Sequence, residues 1–237
     1  MSPPAKITPE WLEKGHGTPI LRAWIGITSA MRPVRLGLLV IGLNLGAQVS
    51  GNEAVGGAPP PHKITFEATV GNLGLSDNKL AIGMPVDEKI RVTLPGDLFA
   101  KAVEVSIVAK AAVRRDSPEA ASSSDFSAFK SFDLAWIAEN FTHAEAQSVR
   151  ENFSDVMIAE KTKDVFAQYE KKILVGRAQY KSYVILFVNY RDYPVRLHPE
   201  VYTQEANAWK RTNALASDET FDIISAALKY GKVTSHQ

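Results

Sequence analysis

Apolar positions recur every second residue in two separate parts of the chain, and at helical spacing between them. Ile64, Phe66, Ala68 and Val70 alternate with Thr65, Glu67 and Thr69, which predicts a strand with one buried face. Leu80–Ile82 and Ile90–Leu94 read as two shorter strands, the second stopped by Pro95-Gly96. Leu98–Val113 fits two templates. Val103, Val105 and Ile107 alternate, while Leu98, Ala102, Val105 and Ala109 fall on one helical stripe; the stripe predicts a helix. From Ser117 the helical signals are plainer. Ser117-Pro118-Glu119 supplies an N-cap, a proline in the first turn and an early acid. Leu134, Ile137 and Phe141 make a second stripe, Thr142 to Glu145 has capping-box spacing, and Asp155–Glu170 continues as helix.

The period then returns to two. Ile173 and Val175 lead into Tyr180–Tyr190, the strongest strand signal in the chain. Tyr183, Ile185 and Phe187 point one way and Val184, Leu186 and Val188 the other. Both sets are apolar, so this strand is expected to be covered on both sides. Phe126, Phe129, Ile137, Phe141, Ile185, Phe187 and Trp209 are expected in one cluster between helices and sheet. Val201–Thr203 and Ala208–Thr212 read as further strands. Asp218–Tyr230 reads as a final helix with the stripe Phe221, Ile224 and Leu228, closed by Lys229 and Gly231. Burying that stripe stabilises by about 1.5–3 kcal/mol per side chain, so the helix must dock on the outer face of the sheet or on another chain, and the short link Ala214-Leu215-Ala216 predicts docking within the chain.

The stretch MRPVRLGLLVIGLNLGAQVSG, residues 31–51, has the layout of a secretory signal peptide. Arg32 and Arg35 form its basic start, Leu36–Leu45 its apolar core, and Val49-Ser50-Gly51 its small-residue end. A buried core helix is the alternative. The run is shorter than the roughly 20 residues a membrane-spanning helix needs, so no stable span is expected once a signal peptide is removed. This layout predicts a start-site extension at 1–30, a signal peptide at 31–51, a Gly/Pro linker at 52–61, a β-rich segment at 62–113 and the main domain at 114–237. It predicts export to a periplasmic or secreted location in a bacterial envelope.

The charge balance, 27 Lys+Arg against 26 Asp+Glu, gives no support for nucleic-acid binding. The chain has no cysteine, which removes disulfides, thiolate nucleophiles and zinc-thiolate sites from consideration. The five histidines show no metal-ligand spacing, and neither a phosphate loop nor a serine nucleophile elbow is present. No metal, cofactor or catalytic set is expected.

SPEAASSSDFSAFKSFDLAWIAENF, residues 117–141, resembles the opening of the NTF2-like superfamily at Ser117, Pro118, Glu119, Ala121, Phe126, Ala128, Asp133, Ile137 and Phe141. Tyr180–Tyr190 and Ala208–Thr212 resemble two of that family's strands. The resemblance covers about 117–213. It implies an α+β fold, with N-terminal helices packed on a strongly curved antiparallel sheet that forms a cone. The β-rich segment and the C-terminal helix would be additions.

Tyrosines gather in the sheet region: Tyr169, Tyr180, Tyr183, Tyr190, Tyr193 and Tyr202, with Arg177, Asp192 and Arg211 near them in sequence. Tyr169, Tyr180, Tyr183, Arg177 and Arg211 are the ligand-binding candidates. Packing of the sheet, with hydroxyls at the rim, is the plainer explanation of the tyrosines. Arg114-Arg115 and Lys171-Lys172 read as solvated charges. Two functions compete: a non-enzymatic exported module that binds a partner protein or small ligand through the cone or sheet surface, and a small-molecule enzyme, isomerase- or dehydratase-like, using a Tyr/Asp pair in the cone.

Overall fold

A computed structural model describes residues 62–73, 78–190 and 196–236. The proposed extension, signal peptide and linker, and the candidates Asp192 and Tyr193, lie outside these residues. The described residues form an α+β structure with five α-helices and a seven-stranded antiparallel sheet. The strands are β1 (Lys63–Thr69), β2 (Lys89–Glu104), β3 (Lys172–Tyr180), β4 (Tyr183–Tyr190), β5 (His198–Glu205), β6 (Ala208–Arg211) and β7 (Lys232–His236). The helices are α1 (Pro118–Ser131), α2 (Leu134–Asn140), α3 (His143–Asn152), α4 (Val156–Gln168) and α5 (Glu219–Tyr230). The sheet order is β6-β5-β4-β3-β2-β1-β7, and its two ends do not meet.

The expected helix at Leu98–Val113 is absent, because β2 runs without interruption from Lys89 to Glu104. Pro95-Gly96 does not stop it. Pro95 lies opposite Lys63 on β1, and from Gly96 onward β2 also pairs with β3. A Cβ at Gly96 would sit 2.4 Å from the Arg177 carbonyl oxygen, so only glycine lets the two backbones come this close. The register then shifts between Leu98 and Val103, a bulge that a helical stripe imitates in sequence. Leu80–Ile82 is likewise no strand; Lys79–Ala81 is a short 3₁₀ turn. β7 has no counterpart among the strands that the sequence predicts. It pairs with β1 from Lys63↔His236 to Glu67↔Lys232.

Both faces of β4 are covered. Ile185 and Phe187 join Ile64, Phe66, Ala68, Ala178 and Val201 beneath Ile224, Ala227 and Leu228 of α5. The phenyl rings of Phe66 and Phe187 meet edge-on at 5.5 Å. The C-terminal helix therefore docks within the chain, as its stripe predicted. Asp218 caps it, accepting from the Phe221 N–H at 2.9 Å. Gly231 ends it, and a Cβ there would lie 2.1 Å from the Glu67 carbonyl oxygen, so β1 passes against the helix end.

Helices α1 to α4 serve the opposite face. Tyr190 of β4, out of phase with Phe187, stacks on Tyr169 at 4.3 Å and lies 6.1 Å from Phe126 of α1. Phe129 stacks on Phe166 of α4 at 4.4 Å. Lys130 of α1 donates to the carbonyls of Phe166, Ala167 and Tyr169, closing the end of α4. The single cluster expected from the sequence is therefore two. Ile185 and Phe187 belong under α5, whereas Phe126, Phe129 and Ile137 are buried on the helical side, and Trp209 is only half-buried. Ser117 caps α1 as expected, at 3.1 Å from the Ala120 N–H. The capping box at Thr142 does not form: its hydroxyl donates to Glu145 at 2.8 Å, and the other Glu145 oxygen accepts from the Thr212 hydroxyl and the Asn213 N–H.

Candidate functional site

The densest chemistry lies between α1 and the sheet. Asp125 of α1, Lys172 at the start of β3, Glu200 of β5 and Arg211 at the end of β6 converge there, and each is at most 9% exposed. Two cations meet two anions. Lys172 Nζ lies 2.7 Å from Glu200 Oε2 and 4.0 Å from Asp125 Oδ2. Arg211 Nη1 lies 2.5 Å from Asp125 Oδ2 and 3.5 Å from Glu200 Oε1. Three hydroxyls also donate to Glu200: Tyr190 at 2.9 Å, Tyr202 at 3.0 Å and Ser122 at 3.3 Å. Lys172 Nζ is 5.8 Å from the centre of the Phe126 ring, so aromatic surface closes the remaining side.

Local sequence places each group. Asp125 follows Ala121 by four residues, so it shares that residue's buried side of α1. Glu200 and Tyr202 are two apart on β5 and face α1, while Val201 between them turns to α5. Lys172 is in phase with buried Leu174. The reading of Lys172 as a solvated charge is wrong: it is fully buried because β3 begins beneath α1. Arg211 sits on a protected edge. The Trp209 N–H donates to the Arg115 carbonyl at 2.8 Å, and the Arg211 carbonyl accepts from the Thr142 N–H at 3.1 Å, so flanking segments cover β6.

The electrostatics follow from this crowding. Burial alone would raise the Glu200 carboxyl, but Lys172 and Arg211, with hydrogen bonds from Lys172 and Tyr190, bring it down to about 2. Burial raises Asp125 above the usual carboxylate range; Arg211 and Lys172 oppose the shift, and Glu200 adds to it. Burial would lower Arg211, yet Asp125 and Glu200 raise it. Burial and then Glu200 push the hydroxyls of Tyr190 and Tyr202 well up, so both stay protonated and donate. Among the described residues, Asp125 Oδ1 has no hydrogen-bond partner.

The five candidates do not form one site. Arg211 belongs to the buried set, and Tyr169 touches it through the Tyr190 ring. Arg177 pairs with Glu119 at 3.1 Å on the exposed margin of α1. Tyr180 and Tyr183 pack against the α5 cluster on the other face, where the Tyr180 hydroxyl donates to Asp218 at 3.1 Å. Sequence reasoning missed Asp125, Lys172 and Glu200. The available signal was phase: each is a charge at a position where its own element's period calls for a buried residue.

The fold and this buried set define an α+β protein with a charged core on one side of an open antiparallel sheet. No family model matches the chain, and neither a curated protein nor a solved structure with significant similarity is found. No helix among the described residues is long and apolar enough to cross a membrane.

Proposed function

We propose that this protein is a non-enzymatic binding or assembly module of NTF2-like type, exported from the cytoplasm, which recognises a partner protein or small ligand through its sheet surface. The observation that carries this reading is the saturation of Glu200. Its two oxygens receive Lys172, Tyr190, Tyr202 and Ser122, with Arg211 close by, and the residue is 2% exposed. A carboxylate held ionised by this many donors is suited to fixing α1 on the sheet, and poorly suited to exchanging protons with a substrate. The helices leading into antiparallel strands support the NTF2-like assignment. Export predicts a mature protein beginning near Asn52, and N-terminal sequencing that finds Met1 or Ser2 overturns it.

One observation favours the enzymatic alternative. Asp125 is pushed up by burial, and its Oδ1 has no partner among the described residues, as a proton-donating acid would require. Two measurements on protein purified from its own host separate the readings. Native mass spectrometry is expected to find a bound partner or an unaltered ligand. Conversion of a co-purifying small molecule by the wild type, abolished in a folded Asp125→Asn variant, overturns the module reading.

A further inference from the structure

Between β1 and β2 the chain displays apolar side chains to water. Ile82 and Val86 are each 73% exposed, Leu80 is 50% exposed and Met84 38%. Leu80 to Val86 contains no charged residue. The segment is nonetheless built. Asn78, 3% exposed, donates from Nδ2 to the Glu219 carbonyl at 2.8 Å and accepts from the Leu80 N–H at 3.0 Å. The Ala81 N–H donates to the Asn78 carbonyl, the Met84 N–H to the Ala81 carbonyl, and the Gly71 N–H to the Val86 carbonyl at 2.7 Å. Gly83 makes the turn at φ 78°. A loop anchored at both ends, with its own backbone partly satisfied, holds four large apolar side chains outward.

We infer that Leu80, Ile82, Met84 and Val86 form a lipid-binding loop that seats in the interfacial region of a bilayer. Two observations choose this occupant. First, a few hundred Å² of apolar side chain falls short of the about 800 Å² per partner that a stable protein interface needs, so a second copy is not held by this loop alone. A bilayer surrounds a protruding loop and asks for no matching groove. Second, apolar surroundings penalise unpaired backbone groups, and three of this loop's N–H groups are already paired within the protein. Charges at the base of the loop are of both signs: Lys79 and Lys89 against Asp87 and Glu88, with Lys89 held by Glu67 at 3.0 Å. Hydrophobic insertion therefore governs, and anionic lipid is not needed.

The test uses the full chain with Met84→Cys, which is a unique attachment point because the protein has no cysteine. An environment-sensitive fluorophore at this position reports the loop itself, whatever residues 31–51 do. With phosphatidylcholine vesicles its emission is expected to shift to the blue, equally at low and high salt. The shift is expected to be lost when Ile82→Asp and Val86→Asp are added. Both positions are exposed, so thermal melting should be unchanged and the loss is not unfolding. A fluorophore that stays in water when vesicles are added assigns the loop to a protein groove and overturns the proposal. So does a shift that grows with protein concentration in the absence of vesicles, which assigns it to a second copy. A vesicle-induced shift that survives both aspartates also overturns it.

Discussion

Under α5 the sheet presents Phe66, Ile185 and Phe187 to Ile224 and Leu228; under α1 it presents Lys172, Glu200 and Arg211 to Asp125. Both interfaces bury large side chains completely, but they fix their helices by different physics. Hydrocarbon contact is non-directional and survives changes of shape at similar volume. A buried set of charges is directional: α1 must bring Asp125 opposite Arg211, or Lys172 and Arg211 are left buried with Glu200 as their one carboxylate. The hydrocarbon contacts thus supply stability without direction, while the charged set under α1 selects one seating of the helix at little net gain, because desolvation offsets much of the Coulomb attraction.

Substitutions can break or sharpen this contrast, and urea denaturation reads them. The largest effects come from emptying either side. Phe187→Ala is expected to cost about 3–5 kcal/mol through the cavity it leaves. Lys172→Met is expected to cost about as much although it removes little volume, since Glu200 and Asp125 keep their charge without its partner. Tyr190→Phe withdraws one hydroxyl from Glu200 and should cost about 1–3 kcal/mol. His198 comes next. Burial first, then Lys229 and Arg196, lower its imidazole from 6.5 to about 4, with Glu200 opposing them. The unfolded chain therefore takes up a proton before the folded one does. Stability is complete above pH 6.5 and falls towards pH 4, by about 1–2 kcal/mol after discounting for partial exposure. Melting of His198→Asn against pH should lack that slope. The smallest effect is on the apolar side: Ile224→Leu should cost less than about 1.5 kcal/mol.

Much of the α5 side was legible in the sequence. Phe221, Ile224 and Leu228 repeat at helical spacing, and Asp218 supplies a cap, so element, face and docking all follow from local rules. The two faces of β4 were equally legible from its alternation, but not which helix covers which face, because that depends on the order of strands in the sheet. The charged side was hidden for a different reason. Asp125, Lys172, Glu200 and Arg211 are spread over more than eighty residues, and the phase of each within its own element does not say which charges it meets. Only pairing across three strands and a helix brings them together. The mistaken helix at Leu98–Val113 shows a third limit. A bulge shifts strand phase, and a shifted alternation of Leu98, Ala102 and Val105 mimics a helical stripe.

The claim that the charges under α1 act as one mutually satisfied set is tested most directly by a double-mutant cycle of Lys172→Met and Glu200→Gln in urea denaturation. The account predicts that the double variant is markedly more stable than the sum of the single losses implies, with a coupling energy of about 2 kcal/mol or more. Additivity within about 0.5 kcal/mol would contradict it, and would mean that Lys172 and Glu200 are buried beside each other without depending on each other.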